Sequence, residues 1–187
     1  MKRVIAAFIL AGLAMAPAAR AATPEGQERF TAFAVDLGRS NGATTGMLDI
    51  TVNRWSTPAE RAHLESVLAE SGPDALLTAV QKLKPVGRLY SAGSLGYDLR
   101  FAYQVPLASG GRRIVLGTDR PLGFRETSYQ ARSLDYPFTV LELRVDENGR
   151  GQGNMVVASK VTSLGETIDV ENYGIQPVRL MQVRLDK

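Results

Sequence analysis

Apolar and polar residues alternate with a period of two along much of the chain, which is typical of strands with one buried face. The first candidate strand carries Phe33, Val35 and Leu37, and the second carries Leu48, Ile50 and Val52. From Val86 onward the same alternation returns and continues to the last strand candidate, residues 178–185. The pattern therefore predicts a chain built mainly from strands.

A helical period interrupts the strands over residues 57–84. Thr57-Pro58-Ala59-Glu60 has the spacing of a capping box with proline at the first helical position. Gly72-Pro73 is expected to end this helix, and Asp74 to begin a second one that stops before Pro85. The sequence thus predicts a two-helix insertion near residues 57–84.

The longest alternating segment predicts a strand with one packed and one solvated face. Its apolar set is Tyr97, Leu99, Phe101, Tyr103 and Val105, and its polar set is Asp98, Arg100 and Gln104. Further on, Asn148-Gly149 separates two alternating segments, which is a strong hairpin signal. The whole pattern predicts about nine strands. We therefore expect a mainly β (α+β) protein, a single antiparallel domain of β-barrel-like or β-sandwich form.

The N-terminus has the features of a cleaved secretory signal peptide over residues 1–21. Lys2 and Arg3 precede an apolar run, and Ala19-Arg20-Ala21 supplies small residues at the cleavage positions. Cleavage would leave residues 22–187 as the domain, with 19 basic residues against 19 acidic ones. A neutral chain has no overall field to attract nucleic acid, and no later apolar run is long enough for a transmembrane segment. We expect an exported protein, periplasmic or secreted.

Side chains suited to catalysis or metal binding are scarce. The chain has no cysteine and one histidine, His63, which is expected on the surface of the first helix. Asp98 and Glu142 are the carboxylates considered for hydrolysis, and both are predicted on solvated strand faces. No catalytic residue, metal site or cofactor is predicted.

Residues 118–137 show neither helical nor strand periodicity, and long segments of this kind are often functional. Arginine and tyrosine side chains are common in sites that hold anionic or aromatic groups. The predicted ligand-binding residues are Arg120, Arg125, Tyr129, Arg132 and Tyr136. The alternative is a structural loop, in which the arginines pair with neighbouring acids and the aromatic residues close a barrel end.

Several strings resemble a family of exported bacterial proteins that has no assigned activity. The strings that carry this resemblance are RRIVLGTDRPLGF (112–124), SLDYPFTVLELRVDENGRGQG (133–153), LGYDLRF (95–101) and ENYGIQPVRL (171–180). The resemblance extends over about residues 55–184 and implies export and a single domain. It assigns no functional residue.

Three functions agree with these patterns. The first is a non-enzymatic exported protein that binds a small ligand or an envelope partner. The second is a carboxylate- or serine-based hydrolase, and the third is a structural envelope-interaction module. The scarcity of catalytic side chains favours the first and third. A large internal cavity would favour the first over the third.

Overall fold

A computed structural model describes residues 26–37, 44–122, 137–164, 168–172 and 176–186. Within these ranges lie one helical element and nine strands. They are β1 (Glu28–Asp36), β2 (Thr44–Val52), α1 (Pro58–Lys82), β3 (Gly87–Ser91), β4 (Tyr97–Pro106), β5 (Arg112–Thr118), β6 (Phe138–Val145), β7 (Arg150–Leu164), β8 (Ile168–Asn172) and β9 (Val178–Asp186).

Eight of the strands form a closed antiparallel barrel. The strands neighbour one another in the order β6-β5-β4-β3-β2-β1-β9-β7, and β6 also pairs with β7 to close the ring. The ninth strand, β8, pairs with the second half of β7, beyond the part of β7 that contacts β9. The mainly β prediction is confirmed, and of the two predicted architectures the chain adopts the barrel.

Side chains fill the interior of the barrel. Residues from all eight strands of the ring meet there, together with Trp55 and Val86 from the connections around α1. The largest of these side chains, including Phe30, Ile50 and Leu116, are fully buried. Burying one such side chain stabilises the fold by roughly 1.5–3 kcal/mol. The barrel therefore has a packed core in place of an open lumen.

The predicted capping box is present at the start of α1. The Thr57 hydroxyl accepts a hydrogen bond from the Glu60 amide at 3.1 Å, and the Glu60 carboxylate accepts one from the Thr57 amide at 2.8 Å. The two separate helices that we predicted are not confirmed. Instead one helical element runs from Pro58 to Lys82, with a kink at Gly72 (φ 78°, ψ −175°).

The helix lies on the outer wall of the barrel, over β4 to β7. Leu64, Leu76 and Val80 are its buried residues. They pack in a second apolar cluster with outward-facing residues of the wall, namely Phe101, Tyr103, Val115, Phe138, Val140 and Val161. This part of the barrel is therefore buried on both faces.

The prediction that β4 carries one apolar face is wrong, because the strand contains a β-bulge. The pairing with β5 shifts between Leu99 and Phe101, so Arg100 is an extra residue in β4. As a result Leu99 and Ala102 face the barrel core, whereas Phe101 and Tyr103 face the helix. The bulge thus directs apolar residues of one strand to two separate clusters.

The apolar set identified in β1 lies outside the barrel. Phe30, Ala32 and Ala34 are the residues of β1 that are buried in the core, and Phe33 and Val35 alternate with them on the outer wall. In β2, by contrast, the predicted set of Leu48, Ile50 and Val52 is buried in the core.

The ion pair between Arg54 and Glu60 makes the start of α1 sensitive to acid. Two hydrogen bonds of 2.9 Å from the Arg54 guanidinium lower the pKa of Glu60. A carboxylate with a lowered folded-state pKa stabilises the protein above its unfolded-state pKa, and this stabilisation is lost as the pH falls. Glu60→Gln should therefore destabilise the protein at pH 7 by at most about 1 kcal/mol, the scale of a partly exposed pair.

The difference between the wild type and Glu60→Gln should shrink as the pH falls below about 4.5. Urea unfolding at pH 7, 5 and 3.5 would measure it. Glu70→Gln removes an exposed carboxylate from the same helix and serves as the control. A difference that grows on acidification would contradict this prediction.

Candidate functional site

Of the predicted ligand-binding residues, the structure describes Arg120. Arg125, Tyr129, Arg132 and Tyr136 lie outside the described residues. The Arg120 guanidinium donates a hydrogen bond to the Gly96 carbonyl at 3.0 Å and lies 4.7 Å above the Tyr97 ring. These contacts hold Arg120 against the β3–β4 connection.

The described start of the predicted binding segment makes structural contacts. Asp119 pairs with Arg100 of β4 at 3.1 Å. The Thr118 hydroxyl donates to the Arg120 carbonyl at 2.6 Å, and the Leu122 amide donates to the Thr139 hydroxyl at 2.9 Å. Leu122 is part of the barrel core. Residues 118–122 therefore help to close one end of the barrel.

The residues considered for catalysis lie on three different elements, α1, β4 and β6. His63 is exposed on α1, as predicted. Asp98 forms ion pairs with Arg88 and Arg100, and Glu142 pairs with its strand neighbour Arg144 at 2.8 Å. In the described ranges, no group of three or more histidine and acidic side chains is placed to hold a metal ion. No described helix is both long and apolar enough to cross a membrane.

The opposite end of the barrel contains an ion pair that crosses the interior. The Arg112 guanidinium of β5 donates to both carboxylate oxygens of Glu28 in β1, at 3.0 and 2.6 Å. It also donates to the Gln104 side chain at 2.6 Å and lies 5.8 Å from the Trp55 ring. The two charged side chains are 19% and 12% exposed. All these contacts join elements of the barrel to one another.

An exposed apolar row crosses three strands of the outer wall. Phe33 of β1 lies directly opposite Met47 of β2 on one side and Met181 of β9 on the other. The methionines are 51% and 50% exposed, and Phe33 is half-buried between them. We call these three residues the outer apolar row. It lies on β2, β1 and β9, whereas α1 covers the wall formed by β4 to β7.

Apolar and basic residues extend this surface along the same strands. Val35 follows Phe33 on the outer face of β1, and Leu37, the residue just after that strand, is 52% exposed. Arg179 of β9 lies directly opposite Val35, is exposed, and forms no hydrogen bond or ion pair with a described residue.

A polar depression of about 790 Å³ lies beside the β6–β7 hairpin. It is lined by Asp146, Asn148, Arg150, Arg184, Leu185 and Asp186. The Asp146 carboxylate shapes the predicted hairpin turn, because it accepts hydrogen bonds from the Asn148 and Arg150 amides at 2.8 and 2.9 Å. Arg150 and Arg184 face each other across β7 and β9.

Sequence reasoning missed both surfaces. Met47 and Met181 were not singled out, and a mixed signal was present in β1, where both alternating sets contain apolar residues. The facing arginines depend on the pairing of β7 with β9, which no local pattern shows.

Comparison with known proteins gave no matching family model, curated protein or solved structure.

Proposed function

We propose that this chain is an exported, non-enzymatic interaction module that binds a protein partner of the cell envelope through the outer apolar row. The observation that carries the proposal is the alignment of Met47, Phe33 and Met181 across three neighbouring strands, on a part of the wall that α1 leaves uncovered. The signal-peptide pattern at residues 1–21 and the resemblance to exported bacterial proteins support the location.

The residue types of this surface match those of protein interfaces. Phenylalanine, methionine and arginine are enriched in interfaces, and lysine, glutamate and aspartate are depleted. Methionine side chains are flexible and adapt to the shape of a partner. The row, with Val35 and Leu37 beside it, thus provides an apolar centre. Arg179 borders it at one end, and Asp49, which is paired with Arg29, borders it at the other.

Charge complementarity indicates the chemistry of the partner. Because Arg179 has no acidic partner among the described residues, an acidic residue on the bound protein would pair with it. The partner is therefore a protein surface with an apolar patch and an acidic side chain at the end that meets Arg179. The packed barrel core favours this reading over a small ligand held in a lumen.

A paired-variant experiment tests the proposal. Met47→Glu/Met181→Glu places two charges on the row, whereas Leu95→Glu places one on an apolar residue that is 95% exposed in the connection between β3 and β4. Each protein would be cross-linked to envelope proteins, and the partner of the wild type would then be purified for direct binding measurements. The double variant should weaken binding at least 100-fold, since two central contacts are each worth about 2 kcal/mol.

The variants should fold normally, because exposed positions tolerate substitution within about 0.5 kcal/mol. Arg179→Glu should weaken binding as well, and Leu95→Glu should leave it unchanged. Equal partner binding by Met47→Glu/Met181→Glu and Leu95→Glu would contradict the proposal. So would sedimentation showing that the row joins two copies of this chain.

A further inference from the structure

Arg150 and Arg184 face each other at close range. They are direct partners in the antiparallel pairing of β7 with β9. The Leu185 amide donates to the Gly149 carbonyl at 2.8 Å, so these two residues form a hydrogen-bonded pair. Because the two pair types alternate along antiparallel strands, the adjacent pair of Arg150 and Arg184 is a non-hydrogen-bonded one. In such pairs the Cα atoms are only about 4.5 Å apart and the side chains are at their closest. Two positive side chains therefore start from adjacent positions on one outer face.

Two carboxylates, those of Asp146 and Asp186, line the same depression as the arginine pair. Neither guanidinium forms a hydrogen bond or ion pair with a described residue. Asp146 also lines the depression, but one of its carboxylate oxygens is engaged by two backbone amides of the turn. Asp186 lies 3.9 Å from Arg29 of β1, which binds Asp49 as well. The described contacts of both carboxylates are thus with groups other than the Arg150 and Arg184 guanidiniums.

Directly opposed like charges destabilise an antiparallel pair of strands. An anion placed between the two guanidiniums would remove this repulsion and accept hydrogen bonds from both. Arginine matches phosphate oxygens well because its planar group can donate two parallel hydrogen bonds. The depression beside the pair has a volume of about 790 Å³ and is open to solvent, so a phosphate group has room to enter.

We propose that Arg150 and Arg184 form a binding site for a phosphate group, carried either by a soluble ligand or by a lipid headgroup. The Asn148 side chain lines the same depression and can supply a further amide donor. The site shares no residue with the outer apolar row, although Arg184 lies on the same outer face of β9 as Met181, and it does not depend on the proposed partner.

The first test uses inorganic phosphate at constant ionic strength, with the purified protein. Binding would be followed by the NMR signals of the arginine side chains and by thermal melts. Arg150→Gln and Arg184→Gln should each raise the Kd for phosphate at least tenfold. Arg88→Gln makes the same charge change on β3, where Arg88 pairs with Asp98, and should leave the Kd within twofold of the wild type.

The double variant Arg150→Gln/Arg184→Gln separates binding from folding. Because it removes the like-charge contact, its melting temperature without phosphate should equal or exceed that of the wild type, and added phosphate should no longer raise it. A melting temperature that rises with phosphate equally in the double variant and the wild type would overturn the proposal.

The second test identifies the source of the phosphate group. Phosphatidylglycerol vesicles and phosphatidylcholine vesicles would be sedimented with the wild type and the double variant. Binding to phosphatidylglycerol that the double variant loses indicates a lipid headgroup, whereas binding of inorganic phosphate alone indicates a soluble ligand. If the wild type binds neither, or if the double variant binds either one as the wild type does, the site does not exist.

Discussion

Glu28→Gln is expected to lower the free energy of unfolding by about 3 kcal/mol. The substitution keeps the size of the side chain but leaves the Arg112 charge without its carboxylate partner inside the barrel end. Breaking one side of a buried ion pair typically costs about 3–5 kcal/mol, because the remaining charge stays desolvated. Urea unfolding monitored by Trp55 fluorescence would measure the change.

Two controls separate burial from charge in this prediction. Glu142→Gln removes a carboxylate from the pair with Arg144, whose side chains are 36% and 62% exposed, and should cost less than about 1 kcal/mol. Glu28→Leu/Arg112→Met replaces both charges with apolar groups and should be more stable than Glu28→Gln alone. The explanation fails if the double variant is the less stable of the two.

Gly151→Ala is expected to destabilise the barrel by at least about 3 kcal/mol. Gly151 lies in β7 opposite Val145 of β6, and a Cβ atom added there would collide with the Arg144 carbonyl oxygen. It would also lie 2.9 Å from the Val145 Cα, so the backbone of β6 would have to move. Both contacts are with backbone atoms, so no flexible side chain can move aside to relieve the clash. The destabilisation is therefore expected among the largest that single substitutions cause.

Gly117→Ala provides a matched control on β5. An added Cβ there would meet the Phe101 Cβ at 3.8 Å, an ordinary contact. The residue also borders an apolar cavity of about 30 Å³ between α1 and the barrel wall. Because alanine also reduces the entropy of the unfolded chain, we expect stabilisation of about 0.5–1 kcal/mol. Comparable destabilisation by the two substitutions, measured by thermal melts, would contradict the steric argument.

Local patterns in the sequence predicted much of the fold. The capping box at Thr57 and the hairpin at Asn148-Gly149 depend on residues close together in the chain, and both are present. The number of strands also followed from alternation. The prediction from alternation failed in β4, because the bulge at Arg100 exchanges the inward and outward positions of the residues that follow it. No distinctive residue type marks the bulge in the sequence. The prediction also failed at Phe33, because two of the core positions of β1 are alanines, whereas the outer wall carries Phe33 and Val35.

The candidate surfaces depend on pairings between distant strands, and therefore were not predictable from local patterns. Met47, Phe33 and Met181 become neighbours only when β1 lies between β2 and β9. Glu28 meets Arg112 because β1 and β5, with three strands between them in the sheet, face each other across the barrel. Four of the five predicted ligand-binding residues lie outside the described residues, so their role remains a prediction.

The pairing of the first strand with the last governs when the barrel can form. Arg29 of β1 lies opposite Asp186 of β9, which is 157 residues later in the chain. Such distant contacts slow folding, because a long loop must close before they form. Until β9 arrives, β1 and β7 each present a strand edge with unpaired backbone groups, the template for association between chains. A chain that ends before β9 would keep both edges open and would therefore tend to aggregate.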